Sequence, residues 1–377
     1  MNRRLFFSAA LAASCMLFGC KSETPQSSDG LVVIDIDHPN ISDPLPTDKV
    51  IESVRLLPLK GDVLFKGLNG LLLADDRIFV LDAPYSSDEP IKIFDINGNY
   101  LKSLHIGSGP GEIDDIGSWY WDDIDKRLYV YNSTQWIIFD KDGNFIDKRD
   151  APLKYIGMSR FGDEYVFNCP DFAVNDSLGH KFFITDNSFN IKYAAMDVLF
   201  KVPLMIVSPN KRFFGQSNES PWFVRADTVY LLNNTQLVPR YYFKFKERFD
   251  ESQLASNNVS SNDVTGYLPG SYRDNGITQT FEIASLNFKN RKYVVRDKKS
   301  GHYFVVQLQS TDGDKYPCFY LDAQPFGKDL AVHIDDWTYN EFIPELLPLV
   351  SESDKKLLEE FQVEDNPIIV IFKTKEF

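Results

Sequence analysis

A short pattern recurs along the chain and constrains its fold more than any other feature. It runs apolar stretch, Asp, two residues, Gly-Asn, aromatic. The first copy is Ile91-Lys92-Ile93-Phe94-Asp95-Ile96-Asn97-Gly98-Asn99-Tyr100 and the second is Trp136-Ile137-Ile138-Phe139-Asp140-Lys141-Asp142-Gly143-Asn144-Phe145. Asp95 and Asp140 are 45 positions apart, and a third copy turns at Asp186, 46 positions further on. Weaker copies run from Thr228 to Thr235 and from Tyr293 to Tyr303. Each copy reads as a hairpin: Asp accepts local backbone hydrogen bonds, and Gly or Asn takes the positive φ of a tight turn. Further short strands lie upstream, at Arg77–Leu81, Arg127–Tyr131 and Glu164–Phe167.

A unit of this length with about four strands is a propeller blade. One blade cannot cover both faces of its sheet, so neighbours must stack around an axis. A β-sandwich with similar hairpins is the competing architecture, and the regular spacing favours the propeller. Abundant Phe (30) and Tyr (18) against 5 Met and 5 His agree with an all-β chain of four-stranded antiparallel blades. Residues 250–276, rich in Ser, Asn, Asp and Gly, read as a loop inserted in the propeller, leaving room for six or seven blades. Near the end, Ser351 to Phe361 reads as one short amphipathic helix, capped by Ser351 or Ser353. Asn366 to Lys373 follows as a buried strand, expected to join the blade begun by the N-terminal residues and to close the ring.

The N-terminus reads as an address. Arg3 and Arg4 precede the apolar run Leu5 to Ala13, too short to span a bilayer. Leu17-Phe18-Gly19-Cys20 resembles a bacterial lipobox, in which acylated Cys becomes the new N-terminus and its chains bury CH₂ groups in the membrane. An ordinary secretory signal with an incidental Cys is the plainer alternative. The expected division is a signal peptide over 1–19, a polar tether over 20–30 and the propeller over 31–377. Cys169 and Cys318 then remain, either as a disulfide permitted by export or as two buried thiols. With 54 Asp+Glu against 40 Lys+Arg, the net charge of -14 argues against nucleic acid as a partner.

Several features together resemble the six-bladed β-propeller lipoproteins of Bacteroides-type bacteria, relatives of NHL-repeat propellers. They are Ile106-Gly107-Ser108-Gly109-Pro110-Gly111-Glu112, Asp227-Thr228-Val229-Tyr230 with Pro239-Arg240-Tyr241, and Asn366-Pro367-Ile368-Ile369-Val370, with the lipobox. The resemblance implies six blades, a periplasmic or outer-membrane address facing either side, and a role in binding. It carries no catalytic motif.

Chemical motifs are sparse. The Gly107–Gly111 run has neither the Lys of a P-loop nor the spacing of a dinucleotide fingerprint, and reads as a tight bend. G-x-S-x-G and H-E-x-x-H are absent. Acid clusters beside aromatics stand out. Asp114-Asp115 and Asp122-Asp123 with Asp125 flank Trp119-Tyr120-Trp121, and Asp335-Asp336 precede Trp337. Such groups can grip a sugar, with rings on its face, or hold Ca²⁺. As ordinary members of an acidic surface they are solvated turns. Trp119, Trp121, Asp122, Asp123 and Trp337 are the candidate ligand-binding residues and Cys20 the lipidation site; no catalytic residue and no cofactor are assigned, Ca²⁺ being the ion these carboxylates would suit. The sequence thus points to a membrane-anchored binding scaffold for a glycan or an envelope protein. The alternative is a propeller enzyme, such as a metal-dependent lactonase, a lyase or a glycan-acting hydrolase, with its site at the channel mouth.

Overall fold

The computed structural model describes residues 30–83, 87–169, 179–197, 214–216, 221–225, 227–233, 236–246, 267–285, 290–309, 319–334, 339–362 and 366–377. Among the described residues the first elements are strand β1 (Val32–Asp35), a single helical turn α1 (Thr47–Val50) and β2 (Ile51–Pro58). Blade 1 is β3 (Leu68–Ala74), β4 (Arg77–Asp82), β5 (Ile91–Asp95) and β6 (Tyr100–Leu104). Blade 2 is β7 (Ser118–Asp122), β8 (Arg127–Tyr131), β9 (Gln135–Phe139) and β10 (Phe145–Asp150). Blade 3 is β11 (Gly157–Phe161), β12 (Glu164–Asn168), β13 (His180–Thr185) and β14 (Ile191–Asp197). Blade 4 is β15 (Phe214–Gln216), β16 (Pro221–Arg225), β17 (Thr228–Asn233) and β18 (Gln236–Lys244). Blade 5 is β19 (Tyr267–Asp274), β20 (Thr278–Ser285), β21 (Asn290–Asp297) and β22 (Tyr303–Gln309). Blade 6 takes β23 (Gln324–Phe326), β24 (Asp329–Ile334) and, after helices α2 (Tyr339–Leu346) and α3 (Glu352–Glu360), β25 (Ile368–Thr374).

These are six four-stranded antiparallel blades in a ring, a β-propeller. The first strand of each blade is innermost: β7 lies against β11, β11 against β15, β15 against β19, and β23 against β3. All five copies of the repeated pattern are the hairpins, or strand pairs, of the third and fourth strands of blades 1 to 5. The sixth such pair is built from the two ends of the chain. The N-terminal β2 is the outermost strand and pairs antiparallel with β25, from Ile51 opposite Thr374 to Pro58 opposite Ile368. The expected closure is therefore present.

Three differences from the sequence reading stand out. Residues 267–274 of the expected loop form β19, the inner strand of blade 5. A bulge between Pro269 and Ser271 interrupts its alternation, and Pro and Gly in the run hide it as a strand. Residues 250–266 lie outside the described set. The single expected helix is α3, capped by Ser351, whose hydroxyl accepts from Asp354 N at 3.2 Å. It is joined by α2, which contains Pro344, and by α1. Finally, β1 adds to the outer edge of blade 4, parallel to β18, with Val32 opposite Tyr241 and Asp35 opposite Lys244.

The repeated turn holds adjacent blades together. In the first three copies the Asp Oδ1 accepts two backbone N–H groups: those of Asn97 and Asn99 at Asp95, of Asp142 and Asn144 at Asp140, and of Ser188 and Asn190 at Asp186. The Asn side chain four residues beyond closes the ring of bonds, as Asn99 does to Asp95 Oδ2 at 2.8 Å. The Asn99 amide, outweighing slight burial, holds the Asp95 carboxyl below its usual range. Gly98 and Gly143 stand at φ 80° and 70°. A Cβ on Gly98 would collide with the carbonyl oxygen of Pro58 in blade 6, and one on Gly143 with Ile93 in blade 1. Each turn thus rests on the preceding blade, and Lys102 of blade 1 donates to the Gly143 carbonyl at 2.9 Å.

Strand direction divides the connections between two faces. Links from first to second and third to fourth strands are short turns and leave on one face, the turn face. Links from second to third strands and between blades leave on the other, the loop face. They include residues 59–67, 105–117 and the excursion carrying α2 and α3.

Candidate functional site

The inner strand of blade 2 carries four of the five candidate ligand-binding residues or their immediate neighbours. Its run Ser118-Trp119-Tyr120-Trp121-Asp122 alternates sides, as strand geometry requires. Trp119 and Trp121 face blade 1, and Tyr120 and Asp122 face blade 3. Trp121 is buried against Phe79, with ring centroids 5.9 Å apart, and donates its indole N–H to Asp123 Oδ1 at 2.8 Å. Asp123 is otherwise exposed. Trp119 is half-buried and lies over Gly70 of β3, where a Cβ would stand 3.1 Å from indole Cζ2.

Asp122 is completely buried and holds the seam between blades 2 and 3. Its Oδ1 accepts from Ile124 N and Asp125 N, and its Oδ2 from Arg160 Nη1 at 3.1 Å and from Tyr165 Oη at 2.9 Å. Arg160, on the inner strand of blade 3, also meets Asp125 at 2.8 Å and stacks over the Tyr165 ring. Burial works against the guanidinium's charge, but the carboxylates of Asp125 and Asp122 outweigh it and raise its pKa. Burial and the neighbouring Tyr129 and Asp122 push the Tyr165 phenol up likewise. All the hydrogen-bonding capacity of the Asp122 carboxylate thus goes to the wall of the propeller.

The other acids are engaged one by one. Asp114 accepts from Asn132 at 2.8 Å and from Lys148 at 3.1 Å, and Asp115 from Ile116 N. Among the described residues no three His, Cys, Asp or Glu side chains converge as a metal-ligand set. The Gly-rich bend encloses its own anion: Gly109 N donates to Glu112 Oε2 at 2.7 Å, and a Cβ on Gly107 would collide with that carboxylate. Cys169 is buried in the core between blades 2 and 3. Trp337, Asp335, Asp336, Cys318 and Cys20 lie outside the described residues, and with them the lipobox and tether.

Sequence reasoning missed two further buried polar groups. In blade 1 Lys92 and Asp82 form an ion pair at 2.6 Å, 1% and 0% exposed, and Asp82 Oδ1 also takes the N–H groups of Lys66 and Gly67. In blade 5 Asp274 Oδ2 accepts from Tyr272 at 3.0 Å and Lys298 at 2.8 Å, and Gln279 Nε2 joins Asp274 and Tyr272 to Tyr241 of blade 4. A charged residue inside a strand was the available signal, as with Lys92 in Ile91-Lys92-Ile93. Its partner could not be read locally. Also missed were Asn69 and Gln324, which stand with Ser118 and Trp119 at the loop-face ends of successive inner strands in blades 6, 1 and 2.

Fold and site together define a six-bladed β-propeller whose buried Asp122–Arg160 pair joins two blades and whose two faces differ in the length of their connections. Residues 31–373 match the family described as a domain of unknown function, DUF4934, and the chain belongs to that family. No curated protein matches the sequence. Among solved structures, a Bacteroides fragilis protein described as a putative exported protein superposes with a TM-score of 0.68 at 15% identity, over 92% of this chain and 100% of that one. The extracellular domain of a putative one-component system from Bacteroides thetaiotaomicron gives 0.41 at 8% identity, over 74% and 32%. BamB of Moraxella catarrhalis gives 0.32 at 10% identity, over 80% and 71%. At these identities the likeness concerns the fold. No helix among the described residues is long and apolar enough to cross a membrane.

Proposed function

We propose that this protein is an exported, lipid-anchored binding propeller of the cell envelope that takes its partner on the loop face. The observation that carries the reading is the asymmetry of the two faces. The turn face is built of short hairpins whose carboxylates are occupied by their own backbone, as at Asp95, Asp140 and Asp186. The loop face carries the long connections, and loops held on a rigid scaffold are where binding groups concentrate. The leader, the lipobox at Cys20 and a structural neighbour described as a putative exported protein support the address. Of the periplasmic and outer-membrane addresses that the resemblance implies, this reading takes the outer membrane.

The test is site-specific photo-cross-linking in intact cells. A cross-linker at Thr134, on a loop-face turn of blade 2, captures a partner, while one at Asn97, on the turn face, does not. Capture from Asn97 alone, or from neither, refutes the reading. Labelled fatty acid is expected to enter the wild-type protein and not Cys20→Ser, and retention of the label by that variant would remove the anchor.

A further inference from the structure

We propose that the loop-face mouth of the channel, where blades 6, 1 and 2 meet, binds a neutral oligosaccharide with the indole of Trp119 as its stacking platform. The site deepens the binding reading and rests on it. Two successive inner strands present polar, uncharged side chains here, Gln324 at the start of β23 and Asn69 second on β3, and β7 follows them with Ser118 on its blade 3 side. Trp119 follows Ser118, and Gly70 follows Asn69. The glycine lets the ring lie on bare backbone, since a Cβ there would press on Cζ2 at 3.1 Å. The ring nevertheless keeps part of its surface open.

Among the described residues the hydrogen-bonding groups at this mouth are mostly unspent. Trp121 gives its N–H to Asp123, but the Trp119 N–H has no acceptor among the described residues. Asn69 donates once, from Nδ2 to the Gly67 carbonyl at 2.8 Å, which leaves its Oδ1 available. The Gln324 amide has no side-chain partner among the described residues. This contrasts with the turn-face end of the same strand, where Asp122 is saturated.

A partly exposed indole beside two amides suits a pyranose, whose C–H face lies on a ring while its hydroxyls exchange donors and acceptors with amides. Trp119, Asn69 and Gln324 carry no charge, so the ligand class is a neutral sugar rather than a uronate or a sulfated glycan.

The experiment titrates the full chain with maltohexaose, cellohexaose and mannohexaose, by isothermal calorimetry and tryptophan fluorescence. At least one is expected to bind and to shift the emission. Trp119→Ala should weaken that binding by about tenfold or more. Gly70→Ala, which lifts the ring without deleting it, should weaken it as well, and Asn69→Ala and Gln324→Ala should do so with unchanged melting temperatures. No binding of any of the three at millimolar concentration, or binding that survives both Trp119→Ala and Gly70→Ala, overturns the site. Capture from Thr134 alongside either of those results would leave the loop-face reading standing while removing this one.

Discussion

At the scale of single residues, one slot in the repeat shows how the blades are joined. Gly98, Gly143 and Phe189 occupy the same left-handed position of three successive turns, at φ 80°, 70° and 63°. The glycines are there because the preceding blade leaves no room for a Cβ. Phe189 is there because it packs between Trp136, Tyr165 and Phe167, which offsets a left-handed cost of roughly 1–2 kcal/mol. Gly143→Ala should therefore destabilise the protein by about 3 kcal/mol through strain and overpacking, read as a lower urea midpoint at unchanged slope. The Lys92–Asp82 pair offers a second measurement. Lys92→Met strands a buried carboxylate and should cost about 3–5 kcal/mol, while Lys92→Met with Asp82→Asn should recover much of the loss. Additive effects in that cycle would show that the pair is not coupled. The turns were legible in sequence because Asp, Gly and Asn act on their own backbone. Phe189 was not, since its reason for being there lies in blade 2.

At the scale of elements, α2 couples the two ends of the chain. Glu345 Oε2 accepts from Thr47 Oγ1 of α1 at 3.1 Å and from Phe319 N at 3.3 Å. Burial raises the Glu345 pKa above its ordinary 4.5, against the two hydrogen bonds. The folded state then binds a proton more tightly than the unfolded chain, so Glu345's contribution to stability falls as pH rises from about 4.5 through the raised value. Glu345→Gln keeps an acceptor and removes the titration. The melting temperature of the variant relative to wild type should rise across that window and level off above it. A constant difference would mean that the carboxyl titrates normally. Neither α2 nor this contact was visible in sequence, because Pro344 argues against a helix and the partners lie 298 and 26 positions away. By contrast α3 was legible from Ser351 and its amphipathic run.

At the scale of the whole molecule, the ring is held by non-covalent closure. Deleting residues 368–377 removes β25, which leaves β2 without a partner and β24 paired only to β23, exposing two edges in place of a continuous sheet. The expected outcome is loss of a single cooperative transition in calorimetry and rapid proteolysis of blade 6; an unchanged transition would mean that closure is dispensable. The sequence by itself determined the blade as the building unit, the hairpins that repeat in it, and the use of the last strand to meet the first. Those signals are local: alternation along a strand, and turn chemistry within five residues. Only tertiary structure decided that Trp121 is sealed in the wall while Trp119, two residues earlier, stays open. It alone decided that Asp122 belongs to Arg160, and that β1 is laid on blade 4 beside Lys244. Each of those outcomes depends on what a neighbouring blade, distant in sequence, places opposite a side chain.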